Sequence, residues 1–278
     1  ADFKEKVIDP FIDSYRCGMT PNPCIECNRH LKFTQLHQKA RELQCDVVVT
    51  GHYARITKDE QGYHLLKGKD AAKDQSYVLY SLTQEQLAHT CFPLGEYTKD
   101  EIRRMAEEQG FFNAGKKDSQ DICFIPDGDY RRFIEETTGQ KSTPGNFVDQ
   151  EGNVLGIHKG YYCYTIGQRR GLGISAPQSL YVVEIRPEKN EVVLGSNEDL
   201  FHSHLTADHF NWIEQVGPDE IIKARIRYHQ TEKEATVRVL EGNRVEVDFL
   251  DPQRAITKGQ AVVLYRGDAV AGGGRIIG

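Results

Sequence analysis

The 278 residues carry 35 Lys and Arg against 41 Asp and Glu, a net charge of −6, with 38% hydrophobic and 27% charged residues. That balance excludes a protein that binds polyanions with its whole surface, while leaving room for a local basic face. No apolar run reaches the length of a membrane span and no signal peptide opens the chain, so the expectation is a cytoplasmic protein without a membrane partner. Seven cysteines, only Cys24 and Cys27 closely spaced, suit a reducing compartment with a few chemically employed thiols better than a secreted disulfide framework.

Val7, Phe11, Ile12 and Tyr15 predict an amphipathic helix over residues 3–16, with Pro10 a kink point and Gly18 a stop. There follows Thr20-Pro21-Asn22-Pro23-Cys24-Ile25-Glu26-Cys27-Asn28-Arg29. The prolines fix their own φ and push Thr20 and Asn22 toward extended geometry, so a stiff turn delivers two thiols three residues apart. Such a pair can act as a redox couple or as two metal ligands. Leu31, Phe33, Leu36, Ala40 and Leu43 mark a second helix ending near Gln44, and Asp46-Val47-Val48-Val49-Thr50 reads as a buried parallel strand. Loops beyond such strands carry ligands in open parallel sheets, which draws attention to Gly51 and His52. A hairpin is expected around Glu60-Gln61-Gly62, then Lys73-Asp74-Gln75-Ser76-Tyr77, then helices near 83–89 and 98–109. Thr98 with Glu101 forms a capping box for the second of these. A third thiol recurs in Asp118-Ser119-Gln120-Asp121-Ile122-Cys123-Phe124, followed by a short helix over 130–136.

From about residue 140 glycine-rich turns separate short alternating segments such as 180–185 and 191–195, the texture of hairpins. A second β block from about 205, with strands near 223–228, 235–240, 244–249 and 260–265, suggests a small barrel. There are no repeats and no low-complexity tract.

Five pieces, in order, resemble the tRNA-specific 2-thiouridylases (MnmA/TrmU). They are Thr20-Pro21-Asn22-Pro23 with Cys27-Asn28; Gly51-His52-Tyr53-Ala54-Arg55; Lys73-Asp74-Gln75-Ser76-Tyr77; Asp121-Ile122-Cys123-Phe124-Ile125; and Tyr164-Thr165-Ile166-Gly167-Gln168-Arg169-Arg170-Gly171-Leu172-Gly173. The resemblance implies an α/β fold. A partial pyrophosphatase-loop (adenine nucleotide alpha hydrolase-like) parallel-sheet domain over 1–136 precedes a small β-rich central domain over 137–204 and a C-terminal β-barrel over 205–278. It implies ATP-dependent adenylation, with Mg2+, of the C2 oxygen of a wobble uridine, then replacement of that oxygen by persulfide sulfur. The implied partners are tRNA and a persulfide donor, a cysteine desulfurase or sulfur-relay protein.

Two departures stand out. The family's Ser-Gly-Gly-x-Asp-Ser phosphate loop appears nowhere in the 278 residues, so the expectation is a chain lacking that N-terminal part and unable by itself to adenylate tRNA. Cys24 stands where the family commonly has aspartate. The rival expectation is a tRNA- or iron–sulfur-binding module without activation chemistry.

The resemblance makes Cys123 the persulfide carrier and Cys27 its disulfide partner. Cys123, in its apolar Ile-Cys-Phe-Ile setting, also reads as a buried small hydrophobe. Cys24 is open to three readings: a spare thiol, a second partner for Cys27, or an iron–sulfur ligand with Cys27 and Cys123. Zinc would need a fourth ligand such as His30 or His52. Cys17, Cys45, Cys91 and Cys163 read as packing residues. Gly51 is implied to touch ATP. Asn22, Pro23, Cys24, His52, Lys73, Asp74, Gln75, Arg169 and Arg170 are implied to touch tRNA, with Arg227, Tyr228 and Gln260 as further contacts. Against these stand plainer readings: a structural histidine, a solvated turn, a solvated arginine pair.

Overall fold

The computed structural model describes residues 2–115 and 122–278, so Asp118–Asp121, the leading half of the Cys123 motif, lies outside the described residues. The opening helix runs through Lys4–Ile8 and Asp9–Arg16 and buries Val7, Phe11, Ile12 and Tyr15, the face its spacing predicts. Pro10, which has no N–H, sits where wide π-type turns give way to regular α turns, so the missing donor falls at a change of hydrogen-bond register.

Pro23–Glu26, Cys27–Gln35 and Leu36–Glu42 form one continuous helical stretch. Asn22 is extended and its Oδ1 accepts the Cys24 N–H at 3.2 Å, capping a helix that has Pro23 in its first turn. Both thiols of the turn therefore lie within the first two turns of a helix.

Strands β1 (Val48–Val49), β2 (Ala54–Asp59), β3 (Gly62–Lys67) and β4 (Thr90–Cys91) follow, with β1 and β4 pairing in parallel. β2 and β3 are the expected hairpin. Helices Gln84–Ala88 and Lys99–Glu108 both open on complete capping boxes, Thr83 with Gln86 and Thr98 with Glu101. Helix Tyr130–Thr138 is capped by Asp129 and closed by Gly139 at φ 67°.

The central unit is a four-stranded sheet of β5 (Gly145–Val148), β6 (Val154–His158), β7 (Tyr181–Arg186) and β8 (Glu191–Gly195), in the order β6-β5-β8-β7. Phe147, Tyr164, Leu172, Val182, Val192 and Leu194 form its own core. The barrel comprises β9 (Phe201–Trp212), β10 (Ile222–Arg225), β11 (Lys233–Leu240), β12 (Arg244–Arg254), β13 (Ala261–Arg266) and β14 (Ala269–Ile276), closed by the pairing of β13 with β14.

The expected fold class holds, but with a difference in how its parts join. The β2–β3 hairpin extends the barrel sheet through β3, where Leu66 pairs with Ala269 of β14. Tyr77, Leu79, Tyr80 and Leu82 share one core with Val263, Tyr265 and Val270. The glycines of β14 permit this closeness: a Cβ on Gly273 would come within 2.7 Å of the Tyr80 ring and 2.9 Å of the Val262 carbonyl.

Candidate functional site

The proline turn is fastened to the barrel. The Thr20 N–H donates to the Lys258 carbonyl at 2.9 Å, and Gln260 Nε2 donates back to the Thr20 carbonyl at 2.8 Å. Between them Gly259, at φ 90°, lies so close that a Cβ would be 3.0 Å from the Thr20 oxygen. Gln260, expected on RNA, is thus committed here to holding the cysteine turn.

Cys24 and Cys123 are exposed and Cys27 is half-buried, and all three are free thiols. Surrounding protein raises the Cys24 pKa first, then the neighbouring Cys123 and Cys27, with Lys32 pulling it down. Cys27 is likewise raised by burial, opposed by Lys32 and pushed further up by Cys123. Segments almost a hundred residues apart in sequence therefore bring three thiols within electrostatic reach of one another. They do not form a ligand set: among the described residues no three His, Cys, Asp or Glu side chains are arranged to hold a metal ion. His30 meets Glu26 at 3.2 Å and His52 meets Lys32 at 3.4 Å, so neither completes a zinc site. The expectation that the other cysteines are packing residues fails for Cys17, Cys45 and Cys91, which are exposed.

Lys32, which sequence reading passed over, lies five residues after Cys27 on the same helical stretch. Its ammonium has only donors, so His52 Nε2 must accept and Nδ1 carries the proton, donating to Thr50 Oγ1 at 2.7 Å. His52 is only 6% exposed, packed between Phe33 and Phe92, and burial followed by Lys32 lowers its pKa to about 4. It is a buried, neutral histidine that orients Lys32. The signal available in the sequence was the cation on the face leading back to Cys27.

The Lys73-Asp74-Gln75 segment also differs from expectation. Asp74 is buried, with Oδ1 accepting from the Gly68 and Ser76 N–H groups and Oδ2 facing Arg225 Nη1 at 3.5 Å. Gln75 Oε1 accepts the Tyr53 N–H at 3.0 Å while its own N–H donates to the Tyr53 carbonyl. These two residues tie the first unit together and to the barrel; Lys73 is half-buried beside them. Tyr228 stands edge-on to Tyr77, and its phenol pKa is raised by burial, then by Asp74, with Cys24 also contributing, which places it near the thiols. Gly51 is exposed, and a Cβ there would meet only Leu94 Cδ1, at 3.5 Å. Internal packing does not demand glycine at this position, so the bare backbone leaves room for a group approaching from outside. Arg169 and Arg170 are exposed, without an ion pair among the described residues. Arg227 is half-buried, its guanidinium on backbone carbonyls and Thr257.

A cavity of about 640 Å³ borders the proline turn at Asn22 and Pro23 and is also lined by Arg29, Tyr80, His209 and Arg275. None of the three site cysteines lines it. No helix among the described residues is long and apolar enough to cross a membrane.

Three family models match the chain in succession: a tRNA methyl transferase HUP domain over 1–127, a tRNA methyl transferase PRC-barrel domain over 131–196, and an aminomethyltransferase beta-barrel domain over 202–276. The tRNA-specific 2-thiouridylase MnmA of Lachnoclostridium phytofermentans is 49% identical over 280 residues, spanning 100% of this chain and 78% of the relative. That of Clostridium perfringens is 51% identical over 277 residues, with 99% and 77% covered, and that of Carboxydothermus hydrogenoformans is 50% identical over 278, with 99% and 76% covered. Identity near one half along the whole chain, on a fold with the same succession of units, shows that the chain belongs to the tRNA-specific 2-thiouridylase (MnmA/TrmU) family.

Proposed function

We propose that the protein is a sulfurtransferase that installs sulfur at C2 of the wobble uridine of tRNA, with Cys123 carrying the sulfur as a persulfide and Cys27 releasing it. The observation that carries this reading is that Cys24, Cys27 and Cys123, each a free thiol, lie within electrostatic reach of one another, with Lys32 acting on Cys24 and Cys27. ATP, when bound, would give its adenylyl group to the uridine O2 with loss of pyrophosphate, which makes that oxygen a leaving group. The terminal sulfur of the Cys123 persulfide attacks C2, AMP departs with that oxygen, and a C2–S–S–Cys123 adduct remains. The Cys27 thiolate then attacks Cys123 Sγ: the S–S bond to the base breaks with its electron pair on the base sulfur, giving 2-thiouridine and a Cys27–Cys123 disulfide. A dithiol reductant reopens that disulfide, and a cysteine desulfurase or relay protein reloads Cys123.

Exposure of Gly51 supports the approach of an adenine nucleotide beyond β1, and the exposed Arg169 and Arg170 support a phosphate clamp. An anticodon-loop base is already unpaired, which lowers the cost of extruding it toward Asn22 and Pro23. The test is mass spectrometry of tRNA from cells lacking endogenous 2-thiouridine, complemented with the complete gene. The parent restores the nucleoside and Cys27→Ser and Cys123→Ser each abolish it; restoration by either variant would sink the persulfide assignment.

A further inference from the structure

We propose that Glu232 is a positioning residue for tRNA recognition: bonded to Lys67 and Arg225, it holds the loop that carries Arg227 and Tyr228 in register with the Lys73-Asp74-Gln75 segment. This rests on reading those two stretches as tRNA contacts. Residues 226–232 join β10 to β11, and Arg225 and Glu232 stand at the loop's mouth, one step beyond the pairing of Ala224 with Lys233. Glu232 Oε1 accepts from Arg225 Nη2 and, at 3.1 Å, from Lys67 Nζ on β3. Arg225 Nη1 in turn lies 3.5 Å from Asp74 Oδ2. Four charges of alternating sign thus run from β3 through the loop's mouth into the middle of the Lys73-Asp74-Gln75 segment. The Glu232 and Arg225 side chains are each 13% exposed and that of Asp74 3%, so salt screens these pairs weakly.

Glu232 is what lets the two cations coexist. Lys67 Nζ lies 4.7 Å from the centroid of the Tyr265 ring, and Arg225 Cζ lies 5.1 Å from the same centroid. Without the carboxylate, Lys67 and Arg225 would repel each other across that ring, and the loop's mouth would lose its tie to β3. Burial would raise the Glu232 pKa, but Lys67 and then Arg225 outweigh it and hold the carboxyl below its usual range, so it is charged at neutral pH. Within the loop, Tyr228 stands edge-on to Tyr77, ring centroids 6.0 Å apart, close enough to Asp74 and Cys24 for both to act on its phenol. The Gln230 N–H donates to the Arg227 carbonyl at 3.1 Å and Gln230 Nε2 to Gln253 Oε1 at 3.3 Å, which fastens the loop to itself and to the barrel. Glu232 is its ionic tie to the first unit. Fixing the loop beforehand spares the ordering cost that a loose one would incur on binding.

The experiment has two arms, both on the full chain. In the free protein, amide hydrogen exchange over residues 226–232 should quicken about tenfold in Glu232→Gln and in Lys67→Met, the loss of one charged hydrogen bond. In the second arm, tRNA binding is measured for the parent, Glu232→Gln, Arg227→Gln/Tyr228→Leu and the triple variant. A carboxylate that merely lay near the RNA would repel its phosphates, so neutralising it would tighten binding. Positioning demands the opposite sign: Glu232→Gln should weaken binding about tenfold in the parent and add nothing in the double variant. If Glu232→Gln does not fold, Lys67→Met, which leaves Glu232 paired with Arg225, replaces it in both arms, and disappearance of its effect in the double variant decides. Unchanged exchange in either folded variant overturns the tie. Tighter or parent-like binding by Glu232→Gln overturns the positioning role, and an equal loss in both backgrounds overturns it in favour of a general structural effect. Parent-like binding by Arg227→Gln/Tyr228→Leu overturns the tRNA reading of the loop, and the exchange arm then shows separately whether the tie stands.

Discussion

The first third of the chain and the barrel are built as one body, while the central sheet is attached to both at points. Tyr77 Oη donates to the Ala261 carbonyl, Asn211 Nδ2 donates to the carbonyls of Tyr80 and Leu82, and Asp74 faces Arg225, all within or beside a shared apolar core. The central sheet meets its neighbours through Tyr161 Oη on the Arg16 carbonyl, Pro187 against Gly18, Tyr162 beside the Phe11 cluster, and Arg227 on Ile166. The cysteine turn therefore rides on the stiff composite, and the Arg169–Arg170 loop rides on the separable part. The free thiols of the turn thus sit on the composite, and the exposed Arg169–Arg170 pair sits on the unit joined to it at points.

The strongest way to break that contrast is Asp74→Ala. It leaves the Gly68 and Ser76 N–H groups without their acceptor and takes from Arg225 one of two carboxylates, Glu232 remaining, and each stranded buried donor costs about 1–3 kcal/mol. Trp212, the single tryptophan, lies on β9 and packs on Phe210. Its fluorescence in urea should report the whole loss although the substitution is in the first third; an unmoved Trp212 midpoint would show two independent bodies.

Leu194→Ala is the converse. This side chain is 1% exposed in the central core, and truncation there should cost about 2–5 kcal/mol. Hydrogen exchange in β5 and β8 should accelerate accordingly while the Trp212 transition stays put.

Lys32→Met sharpens the chemistry on the rigid half. Removing a cation that lowers the Cys27 pKa should raise that thiol's alkylation midpoint by roughly half a pH unit or more, followed peptide by peptide in a mass spectrometer. Lys32→Arg should hold the midpoint, and Cys163 should not move.

The smallest effect concerns His64, which joins the hairpin to the barrel strand end, 2.9 Å from Asp59 and 2.6 Å from Glu214. Hydrogen bonds to Asp59 and then Glu214 raise its pKa against a lesser opposing effect of burial. A raised folded-state pKa gives stability present in full below the unfolded value near 6.5 and lost as pH climbs through the folded one. Stability by Trp212 should therefore fall from pH 6 toward pH 8, and His64→Gln should flatten that slope.

What was legible in the sequence was local. The two thiols, their prolines, the Thr98–Glu101 capping box and the hairpin at Gly62 each announce themselves within a few residues. Asp74 and Gln75 do not: polar letters read as a solvated turn, and Arg225, which compensates Asp74, lies on a distant strand. The burial of His52 is similarly hidden, because Phe33 and Phe92, which pack on it, come from elsewhere in the chain. β14 is hidden by Gly272, Gly273 and Gly274, poor strand formers that are there because Asn211, Tyr80 and Asp208 come too close for side chains.

The pairing of Leu66 with Ala269, backed by the Lys67 N–H on the Asp268 carbonyl at 2.9 Å, bears on how the molecule is made. A ribosome releases β3 about 200 residues before its partner strand, an interval of roughly 10–40 s at ordinary elongation rates. Through that interval the hairpin has an open edge and the first unit lacks part of its core, an exposure that invites a chaperone or a wrong partner. The cysteine turn is in the same position, because the carbonyl and amide that grip Thr20 belong to Lys258 and Gln260. The turn that carries Cys24 and Cys27 thus gains its anchor only once translation has passed the barrel.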